Sequence, residues 1–211
     1  MLAIASGTNM TPTPVLPTIE VPLSGELVAE IRPVLPGDAP QFERGLSELS
    51  EESRYARFGI GIDHLTSQEL RYLTNVDLVS HVAWGATIAG DAAGVGRYVM
   101  LDDGESAEVA VTVVDRFQQR GLGRALFEAL TAVARRDGVE TLRFEVEPSN
   151  EAVKRLVMVD AEVSESGLFR GAIPVADLPE TPRDRDYLGL IDWYRAAPPR
   201  ITSPGALEQP S

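Results

Sequence analysis

The 211-residue chain contains no cysteine. Disulfides, zinc–thiolate centres and cysteine nucleophiles are therefore excluded. Lysine is nearly absent as well: of 19 basic residues only Lys154 is a lysine. The two histidines, His64 and His81, share no metal-ligand spacing, and no metal is expected. Positive charge is short overall, with 32 acidic residues against 19 basic and a net charge of −13. Nucleic-acid binding needs a basic face, so this balance argues against it. An acidic surface instead favours cationic partners such as amines or lysine-bearing proteins. No run approaches the roughly eighteen apolar residues of a membrane span, so no membrane partner is expected. The stretch Met1–Asn9 has neither the basic residues nor the apolar core of a signal peptide, and the expected location is the cytoplasm.

The remaining composition is that of a folded domain: 44% hydrophobic and 24% charged residues. Residues 1–24 carry Thr-Pro-Thr-Pro and further prolines and read as a flexible or extended leader. The packed domain is expected over 25–178. An extension over 179–211 is expected to be partly helical, through the aromatic Tyr187–Tyr194 stretch with Trp193, and then disordered. That stretch reads as a docking helix.

Within the domain, Leu27–Arg32 reads as a strand stopped by Pro33 and Pro36. Asp38 and Ser50 are placed to cap helices running to about Leu49 and Arg57, and Thr66-Ser67-Gln68-Glu69 has the pattern of a capping box. His81–Ile88 and Gly94–Leu101 are β-rich and separated by turn residues. Glu108–Val114 is the most apolar strand, nearly continuous in valine and alanine, which predicts burial on both faces. From Gly121 to Asp137, Leu122, Ala125, Leu126, Ala129, Leu130 and Val133 recur at helical spacing, and Gly138 suits the cap. Leu142, Phe144 and Val146 alternate with polar residues as in a strand, a short helix follows Asn150, and Leu168–Val175 closes the series as a strand. This order of elements predicts an α/β sandwich.

The strongest chemical signal is Gln118-Gln119-Arg120-Gly121-Leu122-Gly123-Arg124, between the apolar strand and the amphipathic helix. Backbone N–H groups at a helix start attract anions, and the helix dipole adds to the attraction. Gly121 and Gly123 let the backbone approach a bulky diphosphate, and Arg120 and Arg124 supply charge nearby. No Gly-Lys-Ser/Thr follows, so the loop is not a P-loop, and a third Rossmann glycine would fall on Leu126. A plain strand-to-helix turn remains the alternative.

The pattern Gln118-x-x-Gly121-x-Gly123 after a valine-rich strand resembles the acetyl-CoA loop of the GNAT superfamily of N-acetyltransferases. The resemblance spans about 29–178. Ser53-Arg54-Tyr55-Ala56-Arg57-Phe58, Val76-Asp77 with His81-Val82-Ala83, Gly94-Val95-Gly96-Arg97-Tyr98 and Ala107–Val111 are similar to segments of bacterial Pat-type protein-lysine acetyltransferases. The resemblance implies a mixed, mostly antiparallel twisted α/β sheet of six to seven strands flanked by helices, with its fourth and fifth strands splayed apart. It implies that backbone groups around Val111 and Val113 pair with pantetheine, that Gln118, Gln119, Arg120, Gly121, Leu122, Gly123 and Arg124 hold the pyrophosphate, and that Asn150 faces the cofactor arm. A plain helix N-cap is the alternative role for Asn150.

Acetyl transfer to an amine requires a neutral nucleophile, and lysine's ordinary pKa near 10.4 calls for a base or a water relay. Glu108 is the only charge in the run Ala107–Val114, and the resemblance puts the family's catalytic glutamate there. If Glu108 is buried, desolvation would raise its pKa toward working pH; a solvated, idle carboxylate at a strand end is the alternative. Glu145 and Glu147 are weaker alternatives. The tyrosine that often assists the leaving thiolate in this family is replaced here by Val157. Arg54 and Arg57, three apart on a short helix that would line the acceptor entrance, could bind an acidic group of the substrate; a plain surface helix is the favoured alternative. The expected activity is acetyl-CoA-dependent acetylation of a primary amine, on a protein lysine or alternatively a small molecule, by a monomer or homodimer. A non-catalytic acyl-CoA sensor is the remaining alternative.

Overall fold

A computed structural model describes residues 16–58, 63–146, 162–163, 169–196, 200–203 and 206–208. Eight strands form one sheet: β1 (Ile19–Leu23), β2 (Leu27–Pro33), β3 (His81–Ile88), β4 (Asp91–Met100), β5 (Ser106–Val113), β6 (Thr141–Val146), β7 (Glu162–Val163) and β8 (Phe169–Pro174). Their spatial order is β1-β2-β3-β4-β5-β6-β8-β7. Every neighbouring pair is antiparallel except β5 with β6. The helices are α1 (Ala39–Ser47), α2 (Glu51–Phe58), α3 (Ser67–Thr74), α4 (Leu122–Arg136) and α5 (Asp184–Ala196). A separate two-stranded ladder joins β9 (Arg200–Ser203) to β10 (Ala206–Glu208).

The elements expected from sequence all form where residues are described, and three stretches differ from expectation. Ile19–Leu23, in the segment read as a leader, pairs along its whole length with β2. Its Val21 is buried, so one apolar contact and five register pairs outweigh the local turn-like composition. The β9–β10 ladder falls in the tail read as disordered. And α5 is anchored in the main core: Tyr187, Ile191 and Tyr194 are fully buried. The Tyr187 hydroxyl donates to Ala125 O (3.3 Å) and the Tyr194 hydroxyl to Pro17 O (3.1 Å). The docking role read for this helix is what the structure shows, while Trp193 stays half-exposed.

Helix α4 fixes the sheet geometry beneath it. Its apolar face, including Leu122, Leu126, Leu130 and Val133, is buried against β3–β5, and each such leucine stabilises the fold by about 1.5–3 kcal/mol. The close approach depends on Gly96, where a Cβ would lie 3.1 Å from Leu130 Cδ1 and 3.2 Å from Leu126 Cβ. Asp137 and Gly138 end the helix, with Val139 N–H bonded to Ala134 O (2.9 Å) in a Schellman arrangement.

The opposite face carries α1 and α3. The capping box at Thr66 forms as expected, Glu69 N–H reaching Thr66 Oγ1 (3.2 Å) and Thr66 N–H reaching Glu69 Oε2 (2.7 Å). Asp38 occupies the N-cap position of α1, but its side chain makes no cap bond. Its carboxylate instead takes the Arg32 guanidinium through both oxygens (2.8 and 2.6 Å) and Leu35 N–H (2.8 Å). A bidentate charged partner competes better than a neutral helix N–H. Leu46, Leu49, Leu65 and Leu73 form a small second core here.

Candidate active site: the cleft between two diverging strands

The parallel ladder between β5 and β6 is short. It comprises Ser106 with Thr141, Ala107 with Leu142 and Glu108 with Arg143, and then ends. On its other edge β5 stays paired to β4 from Ala107 to Val113. The two central strands therefore diverge just beyond Glu108, which is the expected splay of the fold's fourth and fifth strands, here β5 and β6. Val114 N–H donates to Ala93 O (2.9 Å), toward β4. Peptide groups alternate along a strand, so those of Val113 and Val111 turn the other way, into the opening. Val113 O accepts Gln118 Nε2 (3.1 Å). The divergence also explains why β5 is not buried on both faces as its composition predicted: Val111 and Val113 are only partly buried.

Across the opening lies the start of α4. Gln119 (φ 57°) and Gly121 (φ 96°) both have left-handed backbone, a conformation glycine adopts at little cost. The first backbone bond of the helix is Ala125 N–H to Gly121 O (3.1 Å). The N–H groups of Gln119, Arg120, Gly121, Leu122, Gly123 and Arg124 donate to no acceptor among the described residues. A Cβ on Gly123 would lie 3.7 Å from Val113 Cγ2 and 3.9 Å from Val111 Cγ1, so the donor-rich helix start and the open strand edge meet at this residue. The two arginines differ. Arg124 is tied to Glu128 (2.9 Å) with a largely exposed side chain. Arg120 donates to Arg116 O (3.3 Å) and makes no ion pair among the described residues, which leaves its charge available to an anion.

Glu108 is the last β5 residue paired to β6, so it stands where the strands part. By alternation its side chain shares the sheet face of Thr112, away from α4. Glu108 is exposed, as in the alternative of a solvated carboxylate at a strand end. Its carboxylate makes no hydrogen bond or ion pair among the described residues. Glu145 is committed elsewhere, to Arg170 on β8 (3.1 Å). Asn150, Glu147 and Val157 lie outside the described residues. Arg54 lies on α2 and is half-buried; Arg57 is on the same helix. His64 is exposed and His81 buried.

Sequence reasoning missed two features. One is a network around Asp115, in the turn after β5. Its carboxylate accepts Ser50 N–H (2.9 Å), Ser50 Oγ (3.0 Å) and Ser53 Oγ (2.8 Å). Burial pushes this carboxyl up, but these hydrogen bonds more than offset it and hold it below the ordinary aspartate value. The serines lie more than sixty positions away, and no local pattern links them to Asp115. The other is a cavity of about 370 Å³ between α1, α3 and strands β2–β5, walled by Phe42, Leu46, Leu73, Val95 and Thr112 and carrying Arg97. Among the described residues no group of three His, Cys, Asp or Glu could hold a metal ion, and no helix is long and apolar enough to cross a membrane.

The model of the acetyltransferase (GNAT) family matches residues 46–157, and the chain belongs to that family of acetyl-CoA-dependent N-acyltransferases. It is similar to the acetyltransferase Pat of Mycolicibacterium smegmatis, 35% identical over 130 residues that cover 60% of this chain and 39% of that protein. The chain thus matches about two fifths of that relative's length. It is also similar to the GNAT domain of the S. lividans protein PAT, with a TM-score of 0.69, 30% identity and coverage of 74% of this chain and 96% of that one. A Salmonella typhimurium acetyltransferase solved with its cofactor acetyl-CoA shares the fold, with a TM-score of 0.55 at 20% identity over 71% of this chain and 95% of that one.

Proposed function

We propose that the protein acetylates a primary amine, by direct attack on the thioester of acetyl-CoA, with Glu108 as the general base and a protein lysine as acceptor. The observation that carries this reading is the meeting, across Gly123, of β5 peptide groups turned into the opening with the N–H groups of residues 119–124, which donate to no acceptor among the described residues. Both halves fit the cofactor: a diphosphate suits the helix start and Arg120, and an amide-bearing pantetheine suits a free strand edge. Bound there, acetyl-CoA supplies an activated acyl group.

The chain's own residues do the rest. Val111 N–H, turned into the opening, is a donor for the carbonyl oxygen on which charge develops. Glu108, exposed and without a partner among the described residues, takes the proton from the incoming ammonium, directly or through one water. No covalent enzyme intermediate is required. The similarity to Pat-named proteins supports a lysine acceptor, as does the acidic surface, which attracts cationic side chains. A cytoplasmic location agrees with this chemistry. The 370 Å³ cavity on the Thr112 face, partly open to solvent, is the observation behind a second reading, in which the acceptor is a small amine.

Release of free thiol from acetyl-CoA, followed with a panel of proteins and small amines, tests the proposal. Wild type is expected to turn over. Glu108→Gln is expected to bind acetyl-CoA normally and lose about 10²–10⁴-fold in rate, the usual contribution of a general base. Equal rates for the two proteins would remove Glu108 from the mechanism.

A further inference from the structure

The geometry points to Asp115 as a positioning residue that hangs α2 on the acetyl-CoA loop, so that filling the cleft and ordering α2 are coupled. This rests on the cofactor site proposed above and concerns how that site communicates with the acceptor side. The network is continuous. Ser50 and Ser53 at the start of α2 donate to the Asp115 carboxylate, and Ser53 N–H in turn donates to Ser50 Oγ (3.1 Å). Gln118, the first residue of the loop, bonds through its N–H to Asp115 O (3.1 Å). Its Nε2 reaches Val113 O (3.1 Å) and Ser53 Oγ (3.4 Å). Asp115 and Gln118 together join α2 to both walls of the cleft, the β5 edge and the glycine loop. The next residue reinforces the junction: Arg116 pairs with Glu48 (3.0 Å), just before α2, and with Asp91 (3.1 Å).

The first turn of α2, Glu51–Arg54, is anchored by polar contacts to Asp115. A turn held by solvent-facing hydrogen bonds opens at low free-energy cost. Its order therefore depends on Asp115 and on whatever fixes the loop that Asp115 precedes. A ligand that holds residues 118–124 in one arrangement also holds Gln118 and Asp115, and through them Ser50 and Ser53. An acceptor that contacts α2 would therefore bind tighter when acetyl-CoA is present, and by linkage the reverse.

Hydrogen exchange of the full chain, with and without saturating acetyl-CoA, tests this. In wild type, acetyl-CoA is expected to slow exchange in peptides spanning 50–58 by at least about fivefold, as well as in 118–124. In Asp115→Ala the protection of 118–124 should persist and that of 50–58 should vanish, while peptides from the buried part of α4 exchange at the wild-type rate. Asp115→Asn, which keeps one acceptor oxygen, should retain part of the effect, and Ser53→Ala should lose part of it in a folded protein if Asp115→Ala is unstable. The inference is overturned if acetyl-CoA protects 118–124 but not 50–58 in wild type, or if it protects 50–58 equally in Asp115→Ala. Protection nowhere in wild type would overturn the cofactor reading and this inference with it.

Discussion

Acid should weaken the fold through His81 in a way that a single substitution isolates. The His81 ring opens β3, packs against Tyr72 with ring centroids 5.2 Å apart, and retains 9% of its surface. Its Nε2 lies 3.4 Å from Arg97 Nη1, and Arg97 Nη2 donates to Leu73 O (3.0 Å). Burial, and then the Arg97 charge, push the imidazole down to about 4, against a smaller opposing pull from Asp77. The native ring is therefore neutral at pH 7, whereas in the unfolded chain it titrates near 6.5. Between those values the unfolded chain binds more protons, so this contribution is fully present above pH 6.5 and is lost as pH falls toward 4. Ideal linkage gives a loss of about 2 kcal/mol between pH 8 and pH 5, and residual solvent contact reduces the expectation to about 1–2 kcal/mol. Urea unfolding of wild type and His81→Gln at several pH values reads it directly. Carboxylate titrations are common to both proteins, so the stability difference should move against wild type by that amount on acidification. Parallel pH profiles for the two proteins would refute the assignment.

Further outcomes follow from packing and chain geometry. The Tyr98 hydroxyl is fully buried and has no hydrogen-bond partner among the described residues; Tyr98→Phe should leave stability unchanged or raise it by about 1 kcal/mol in denaturant unfolding, since no bond is lost and a desolvated group is removed. Leu126→Ala, in the fully buried centre of α4, should cost about 2–5 kcal/mol by the same assay. Gly96→Val should prevent the close seating of α4 on β4 and cost about 1–3 kcal/mol or more, seen as a lower midpoint and increased exchange in α4. Gly121→Ala should lower stability by about 1 kcal/mol through its left-handed backbone and weaken acetyl-CoA binding, measured by calorimetry.

Much of this architecture is legible in the sequence because it is locally encoded. The α4 stripe from Leu122 to Val133, the Thr66–Glu69 capping box, the turn at Ala89-Gly90-Asp91 and the alternation from Leu142 to Val146 each occupy one short window. The glycine loop is legible for the same reason: its donors, glycines and arginine charge are consecutive. What failed to show depends on distant partners. β1 has no strong strand composition and is recruited by β2. Asp38 has the residue type of a cap, but Arg32 claims its side chain. Glu108 is an isolated charge in an apolar run, which suggested burial. The run is apolar because alternate residues face α4, while Glu108 points to the other face and is exposed there. Asp115 meets Ser50 and Ser53 only once the chain has folded, so its role had no signature in any window.

The central claim is that acetyl-CoA binds where β5 and β6 part, against the start of α4. The most direct test is titration calorimetry of acetyl-CoA into wild type and Gly123→Glu. A Cβ at this position meets only ordinary contacts with Val111 and Val113, so the fold should tolerate the change, with an unaltered thermal midpoint as the control. The new carboxylate would sit among the N–H groups assigned to the diphosphate, where like charge costs enough to weaken binding by at least about tenfold. Wild-type binding together with that loss is the predicted result. Undiminished binding to a folded Gly123→Glu protein, or no binding to wild type, would contradict the account.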